Sequence, residues 1–294
     1  MSNSTLAHLA QQERTRREVL HKSDLIPPLP DLVVRVLNLL NRADTDPGQL
    51  ESHLRYDQVL VAKMLGMVNS PFYGLSRRVS TVRDAIMMLG FRGLRSLLLA
   101  TSTAKFLARD FRNYGFADRG LWLHSITVAA ASRTLTRRLG GSSEMAEQLF
   151  VAGLLHDIGK MLLAPYLIER RVTVVSGSSA LEVEKRHVGI DHTEAGALVA
   201  AKWNLAPSVQ EIIKQHHGDV TPSPFTKEVA IVTLANEVAR IKRYGLAADF
   251  MPPQEPVDPV LQVLGITAEN WPEHCDAAVQ SMEIALASMA SFSS

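Results

Sequence analysis

Leu149-Phe150-Val151-Ala152-Gly153-Leu154-Leu155-His156-Asp157-Ile158-Gly159-Lys160 is the stretch on which the reading of this chain turns. Apolar residues at Leu149, Phe150, Gly153 and Leu154 have helical spacing, which predicts a buried helix ending near the His-Asp doublet. An imidazole and a carboxylate then sit side by side in a low-dielectric setting, a pair that suits Zn, Fe, Ni or Mn. Taken alone, the pair reads more plainly as a core histidine hydrogen-bonded to its neighbour. The remaining histidines bear on that choice.

The chain has ten histidines. Five of them, His124, His156, His192, His216 and His217, fall with Asp157 at or near expected helix ends in the middle of the chain. Neighbours on a regular helix cannot both point the same way, so His216 and His217 serve one site together only where the helix ends. Gly218 is the stop signal. Neutral imidazoles around one carboxylate suit a site for one or two metal ions. Spacing alone leaves open whether they converge.

Outward from this centre, the elements read as helices. Asp31 opens one with Val33, Val36, Leu37 and Leu40 on its apolar face. Asp46-Pro47 and Asp57 start two more, the second with Val59, Leu60, Met64, Leu65 and Val68 inward. Asn69-Ser70-Pro71-Phe72-Tyr73-Gly74 breaks the pattern. Ser80 is read as the cap of a helix closed by Gly90, with another running from Phe91 to about Ala108. Its Arg92 and Arg95 lie one turn apart and could bind a phosphate or an acidic partner; a solvated face is the preferred reading. Residues 109–117 read as a polar loop. Helices are expected over 118–138, 161–175, up to Arg186, 192–203, 207–217, 227–243 and 271–289, with 251–259 irregular. Leu25-Ile26-Pro27-Pro28 is a stiff extended lead-in. No partner strand offers itself to Val172–Val175, so the fold class is all-α.

Hydrophobic residues make up 46% of the 294 and charged residues 21%, ordinary for a globular protein. Net charge is +1 and no basic stripe dominates, which argues against nucleic acid as a partner. The single cysteine, Cys275, excludes an internal disulfide framework and fits a reducing compartment. The start of the chain lacks the pattern of a signal peptide, and no apolar run reaches the roughly 18–20 residues that cross a bilayer. The expectation is a cytoplasmic protein with no membrane partner.

His156-Asp157-Ile158-Gly159-Lys160 resembles the signature of the HD superfamily of metal-dependent phosphohydrolases. His124-Ser125 stands where that superfamily places its first histidine. His192-Thr193-Glu194-Ala195-Gly196 and His216-His217 resemble the later histidines of its HD-GYP branch. Leu29-Pro30, the Asn69–Gly74 turn, Ala85-Ile86, Leu89-Gly90 and the central stretch together resemble an HDOD domain, an HD-related output domain. The resemblance implies a helical N-terminal half, 23–112, resting on an HD-like half, 113–218, between a polar arm, 1–22, and a C-terminal helical extension, 219–294. It also implies bacterial signalling, signalling proteins as partners, and a metal site of His124, His156, Asp157, His192, His216 and His217.

Three departures deplete the acidic part of that ligand set. Ala235-Asn236 replaces the Ala-Asp pair that carries the last metal-ligating aspartate, and an amide is a weaker partner for a divalent cation. Gly218-Asp219-Val220-Thr221-Pro222 replaces the Gly-Tyr-Pro stretch. Gly120 stands where some HD-GYP enzymes place a glutamate. Two functions follow. One is an output or interaction module without phosphohydrolase activity, holding a residual divalent metal (Fe, Zn, Ni or Mn) or a nucleotide or phosphate. The other is a working phosphohydrolase of nucleotides or cyclic dinucleotides, in which Lys160 would neutralise charge on the phosphate. The depleted carboxylates favour the first.

Overall fold

The computed structural model describes residues 3–21, 27–42, 44–217, 222–253 and 257–289. Leu25, Ile26 and the departure Gly218-Asp219-Val220-Thr221 lie outside the described residues. What is described is all-α, with one isolated bridge between Phe116 and Leu246 and no strand.

The chain begins with α1 (Asn3–His21), α2 (Asp31–Leu40), α3 (Pro47–Leu54) and α4 (Gln58–Val68). The expected caps form: Asp46 accepts from the Gly48 N–H at 2.8 Å and Asp57 from the Leu60 N–H at 2.8 Å. Val59 does not face inward. It is 67% exposed, because it falls off the face that Met64, Met67 and Val68 bury. The two helices expected around Gly90 are one kinked element, α5 (Val82–Leu107), with Gly90 at φ 68°. Thr81, not Ser80, caps it, accepting from the Asp84 N–H at 3.0 Å.

Next come α6 (Gly120–Arg138), α7 (Ser143–Leu155), α8 (Lys160–Glu169), α9 (Ala180–Val188) and α10 (His192–Lys202). The expected helix to Val175 stops at Glu169, where Arg171 adopts left-handed backbone and the β-branched run Val172–Val175 is irregular. The loop before α6 is less polar than read: Phe111, Tyr114 and Phe116 are buried. The chain ends with α11 (Pro207–Gln215), α12 (Thr226–Ile241), α13 (Asp258–Leu264) and α14 (Trp271–Met289). Sequence reading missed α13, whose first residues fall in the proline-rich stretch 251–259 read as irregular. Pro259 sits in its first turn, where no backbone N–H is needed.

Helix α6 is the axis of the molecule, with α7, α12 and α14 packed around it. One hydrophobic core runs from Val19 to Met289, and Trp122 on α6 and Phe150 on α7 are its largest fully buried side chains. The turn at Pro71–Tyr73 joins α4 and α5 to that axis. The Phe72 N–H donates to Ser288 Oγ on α14 at 3.1 Å, and its ring lies 5.8 Å from that of Phe150. The buried Arg133 guanidinium sits 3.9 Å from the Phe150 ring centre and pairs with Glu147 at 2.7 Å. Asn69 fixes the turn, accepting from the Val79 N–H and donating to the Val79 carbonyl, both at 2.8 Å.

By length and composition, Val82–Leu107 and Ser143–Glu169 could cross a bilayer, contrary to the expectation that no stretch could. Half of the first window and 83% of the second are buried inside the fold, which accounts for their hydrophobicity as core. With the core continuous, Phe150→Ala should cost about 3–5 kcal/mol and leave thermal unfolding a single transition. Two separated calorimetric transitions would contradict one shared core.

Candidate metal centre

The apolar face of α7 sinks its C-terminal end into the core and delivers His156 and Asp157 into a tight turn, closed by hydrogen bonds from Ile158 N–H to Leu155 O and from Lys160 N–H to Asp157 O. Gly159 permits the approach of α10: a Cβ there would lie 2.0 Å from the His192 carbonyl oxygen. His192 is the first residue of α10, started by Asp191, which accepts from the N–H groups of Thr193 at 2.9 Å and Glu194 at 3.0 Å. His216 and His217 end α11, and His124 lies one turn into α6.

All six residues converge. Asp157 Oδ2 lies 3.4 Å from His156 Nε2 and 3.9 Å from His124 Nε2. Asp157 Oδ1 lies 3.2 Å from His192 Nε2 and 3.6 Å from His216 Nε2. His217 Nε2 is 3.0 Å from His192 Nε2. Ligand atoms of Asp157, His192, His216 and His217 lie within 4.8 Å of one another, as do those of His124, His156 and Asp157.

Three of the imidazoles are oriented from behind. His156 Nδ1 donates to the Gly153 carbonyl and His216 Nδ1 to the Ile213 carbonyl, both at 2.7 Å. Among the described residues their buried Nε2 atoms have no hydrogen-bond partner, and they face Asp157. This is the tautomer a metal requires. His192 Nδ1 donates to Glu184 Oε2 at 2.7 Å, and the same oxygen accepts the His192 backbone N–H at 2.8 Å. His124 differs: its Nε2 donates to Asn236 Oδ1 on α12 at 3.0 Å.

The protonation states follow from burial and neighbours. Burial, aided by His156, pushes His124 down to about 3, so it is neutral. Burial also lowers His216 and His217 well below the usual histidine range. Burial opposes charge on His192 as well, but the Glu184 carboxylate and the hydrogen bond to Asp157 outweigh it and hold His192 up at about 9. Asp157 is fully buried, yet the Lys160 ammonium on its Oδ1 and the adjacent His156 hold it well below the carboxylate range. Lys160 Nζ also stands 3.4 Å from His192 Nε2. The ammonium therefore occupies the side of Asp157 toward which His192 is turned.

A cavity of about 60 Å³ adjoins the cluster, lined among others by Tyr114, His124, Asp157, Lys160, Asn236 and Arg240. Residues 244–253 strap its mouth. Gly245 O accepts the Ala117 N–H at 2.9 Å, the Ala247 N–H donates to Gly115 O at 2.9 Å, and Met251 O accepts the Gly177 N–H at 2.7 Å. Arg240 Nη2 donates to Pro253 O at 2.6 Å. A Cβ on Gly120 would lie 2.0 Å from Gly245 O, so the strap fills the space a side chain at 120 would need.

Sequence reading identified the six cluster residues, Lys160 and Asn236. It missed Glu184, eight residues before His192 on a separate helix, and it missed Arg240, Tyr114 and the strap. The periodicity of α12 could have shown Asn236 and Arg240 on one face, four residues apart.

Comparison with known proteins bears on this arrangement. The family model of the HDOD domain matches residues 26–218. An HDOD domain protein of unknown function from Geobacter sulfurreducens has a similar crystal structure, with TM-score 0.64 and 26% identity, covering 96% of this chain and 95% of that one. A candidate phosphohydrolase from Shewanella amazonensis SB2B shares the fold at TM-score 0.70 and 24% identity, over 94% of this chain and 98% of its own. Among curated proteins, an uncharacterized protein of Treponema pallidum is 23% identical over 237 residues, 78% of this chain and 45% of its own length. The chain spans less than half the length of the first curated relatives it matches.

Two outcomes test the geometry. His192 is raised from 6.5 to about 9, so the stabilisation it draws from Glu184 is complete below about pH 6.5 and lost as pH rises through about 9. In chelator-treated protein, the melting-temperature gap between wild type and Glu184→Gln should therefore close from pH 7 to pH 10. A gap that stays constant would contradict the imidazolium–carboxylate pair. Gly120→Ala should destabilise the fold by about 1–3 kcal/mol, measured by denaturant unfolding. An unchanged midpoint would show that the strap gives way freely.

Proposed function

The chain belongs to the HDOD family, and from that premise we propose that it is a signalling output module on an HD-superfamily fold, one that works by interaction rather than phosphoester hydrolysis. The observation that carries this reading is the small volume of the cavity beside Asp157. Its roughly 60 Å³ has room for a few water molecules. Sites that bind organic ligands offer about 300–1,000 Å³, so a nucleotide or cyclic dinucleotide has no room beside Asp157.

The same centre supports a residual divalent site. Two buried, partnerless Nε2 atoms, on His156 and His216, face a carboxylate, and their Nδ1 atoms are tied to backbone carbonyls. This donor set fits a cation. His156, Asp157, His192, His216 and His217 would hold it, and the borderline ligands suit Fe, Zn, Ni or Mn. A bound ion would supply Lewis acidity and a fixed positive charge. His124 stands outside this set because its Nε2 proton is committed to Asn236. Lys160 competes with any cation for Asp157, and the neutral amide of Asn236 removes one carboxylate from the centre. In this reading Lys160 is a structural counter-ion rather than a catalytic group, and the partners are other signalling proteins.

Elemental analysis of protein purified without chelator tests the site. Metal content should be substoichiometric in wild type, lower in His156→Ala, and higher in both Lys160→Ala and Asn236→Asp. Metal should also raise the melting temperature of Lys160→Ala more than that of wild type, since binding to the folded state adds stability. Assays with Mn- or Fe-loaded wild type on bis(p-nitrophenyl) phosphate and on cyclic dinucleotides should show no turnover. Turnover by wild type that vanishes in Asp157→Ala would make the protein a phosphohydrolase.

A further inference from the structure

Arg92 and Arg95, one turn apart on α5, do not share a solvated face. Arg92 pairs with Glu144 on α7 at 2.7 Å, at the surface. Arg95 is half-buried and turns into a cleft of about 340 Å³ between α2, α5, α7 and the start of α11. Leu99, Val151 and Val209 give this cleft an apolar floor, and Phe91 adds an aromatic wall.

The charges that face the cleft do not balance. Glu144 is taken by Arg92. Glu147 is taken by Arg133 at 2.7 Å and Arg137 at 3.6 Å, both on α6. Among the described residues Arg95 has no carboxylate partner; its Nη2 donates to Asn41 Oδ1, a neutral amide on the residue after α2. Burial first, and the neighbouring Arg92 second, lower its pKa, as befits a guanidinium drawn out of water without a counter-ion. A planar guanidinium with most of its donors uncommitted matches a carboxylate or phosphate oxyanion in fork geometry.

We propose that the Arg95 cleft is a binding site for a small organic anion, with its phosphate or carboxylate on Arg95 and its apolar or aromatic body on the Phe91–Val151–Val209 surface. The volume stands at the low end of ligand pockets and limits the occupant to about the size of a mononucleotide. Such a ligand touches α5 and α7 together. Helix α7 ends in His156 and Asp157, so occupancy of the cleft bears on the helix that carries the histidine centre.

The test is calorimetric titration of the full chain, in chelator and low salt, with three probes: AMP, benzoate and inorganic phosphate. AMP or benzoate should bind, and the stronger of the two identifies the head group. Inorganic phosphate, lacking a body, should bind at least tenfold more weakly than AMP. Arg95→Gln should weaken binding at least tenfold. Asn41→Asp sets a carboxylate against the guanidinium, and should abolish binding while raising the melting temperature. This second variant keeps the test decisive should Arg95→Gln unfold. Absence of heat with all three probes at 10-fold above a millimolar Kd, or equal binding by wild type and Asn41→Asp, would overturn the site.

Discussion

The centre of this molecule is organised by the need to compensate one buried carboxylate. A lone ionised aspartate in the core is prohibitive, and a buried charge survives only when paired and hydrogen-bonded. Asp157 meets that condition with the Lys160 ammonium and the His192 imidazolium. His192 is charged because Glu184 stands behind it and Asp157 in front of it. The demand passes from α8 to α10 to α9, and three helices are located by one chain of charges. Gly159 makes it feasible by letting the start of α8 touch the first turn of α10.

A second constraint acts on the opposite side of the cluster. Gly120 and Gly245 approach so closely that a Cβ on either would collide with the carbonyl of the other. The HD-GYP resemblance places a glutamate, in some of those enzymes, at the position of Gly120. Here the backbone of Gly245 takes that space, and Leu246, Phe250, Pro252 and Pro253 line the cavity. The missing side chain at 120 and the close passage of residue 245 are thus one packing choice, and α12 adds Asn236 and Arg240 to the lining of the same cavity.

Local chemistry made much of the fold legible. Asp46, Asp57 and Asp191 each precede a helix with the spacing that caps require, and each accepts the N–H groups expected of it. The His-Asp doublet, the later histidines and Asn236 were readable because their residue types carry a specific chemistry. What stayed illegible depends on long-range placement. Glu184 reads as one more surface glutamate of an amphipathic helix until α9 is folded against α10. Arg95 reads as solvated until α2 brings Asn41 to it. The strap has no periodicity to detect, and Val59 looked buried because hydrophobicity was counted without the angle.

The charges around Asp157 set what a metal ion would meet at this centre. Asp157 and Glu184 contribute −2, and Lys160 and His192 contribute +2, so this buried group is neutral with no metal bound. Arg240 and Glu237, paired at 2.8 Å, add nothing to the balance. A divalent ion would bring the centre to +2 unless Lys160 left Asp157 and His192 released its proton. An aspartate at position 236 would offset part of that excess, and Asn236 does not. A cation entering here would meet the Lys160 ammonium on Asp157 and the proton on His192.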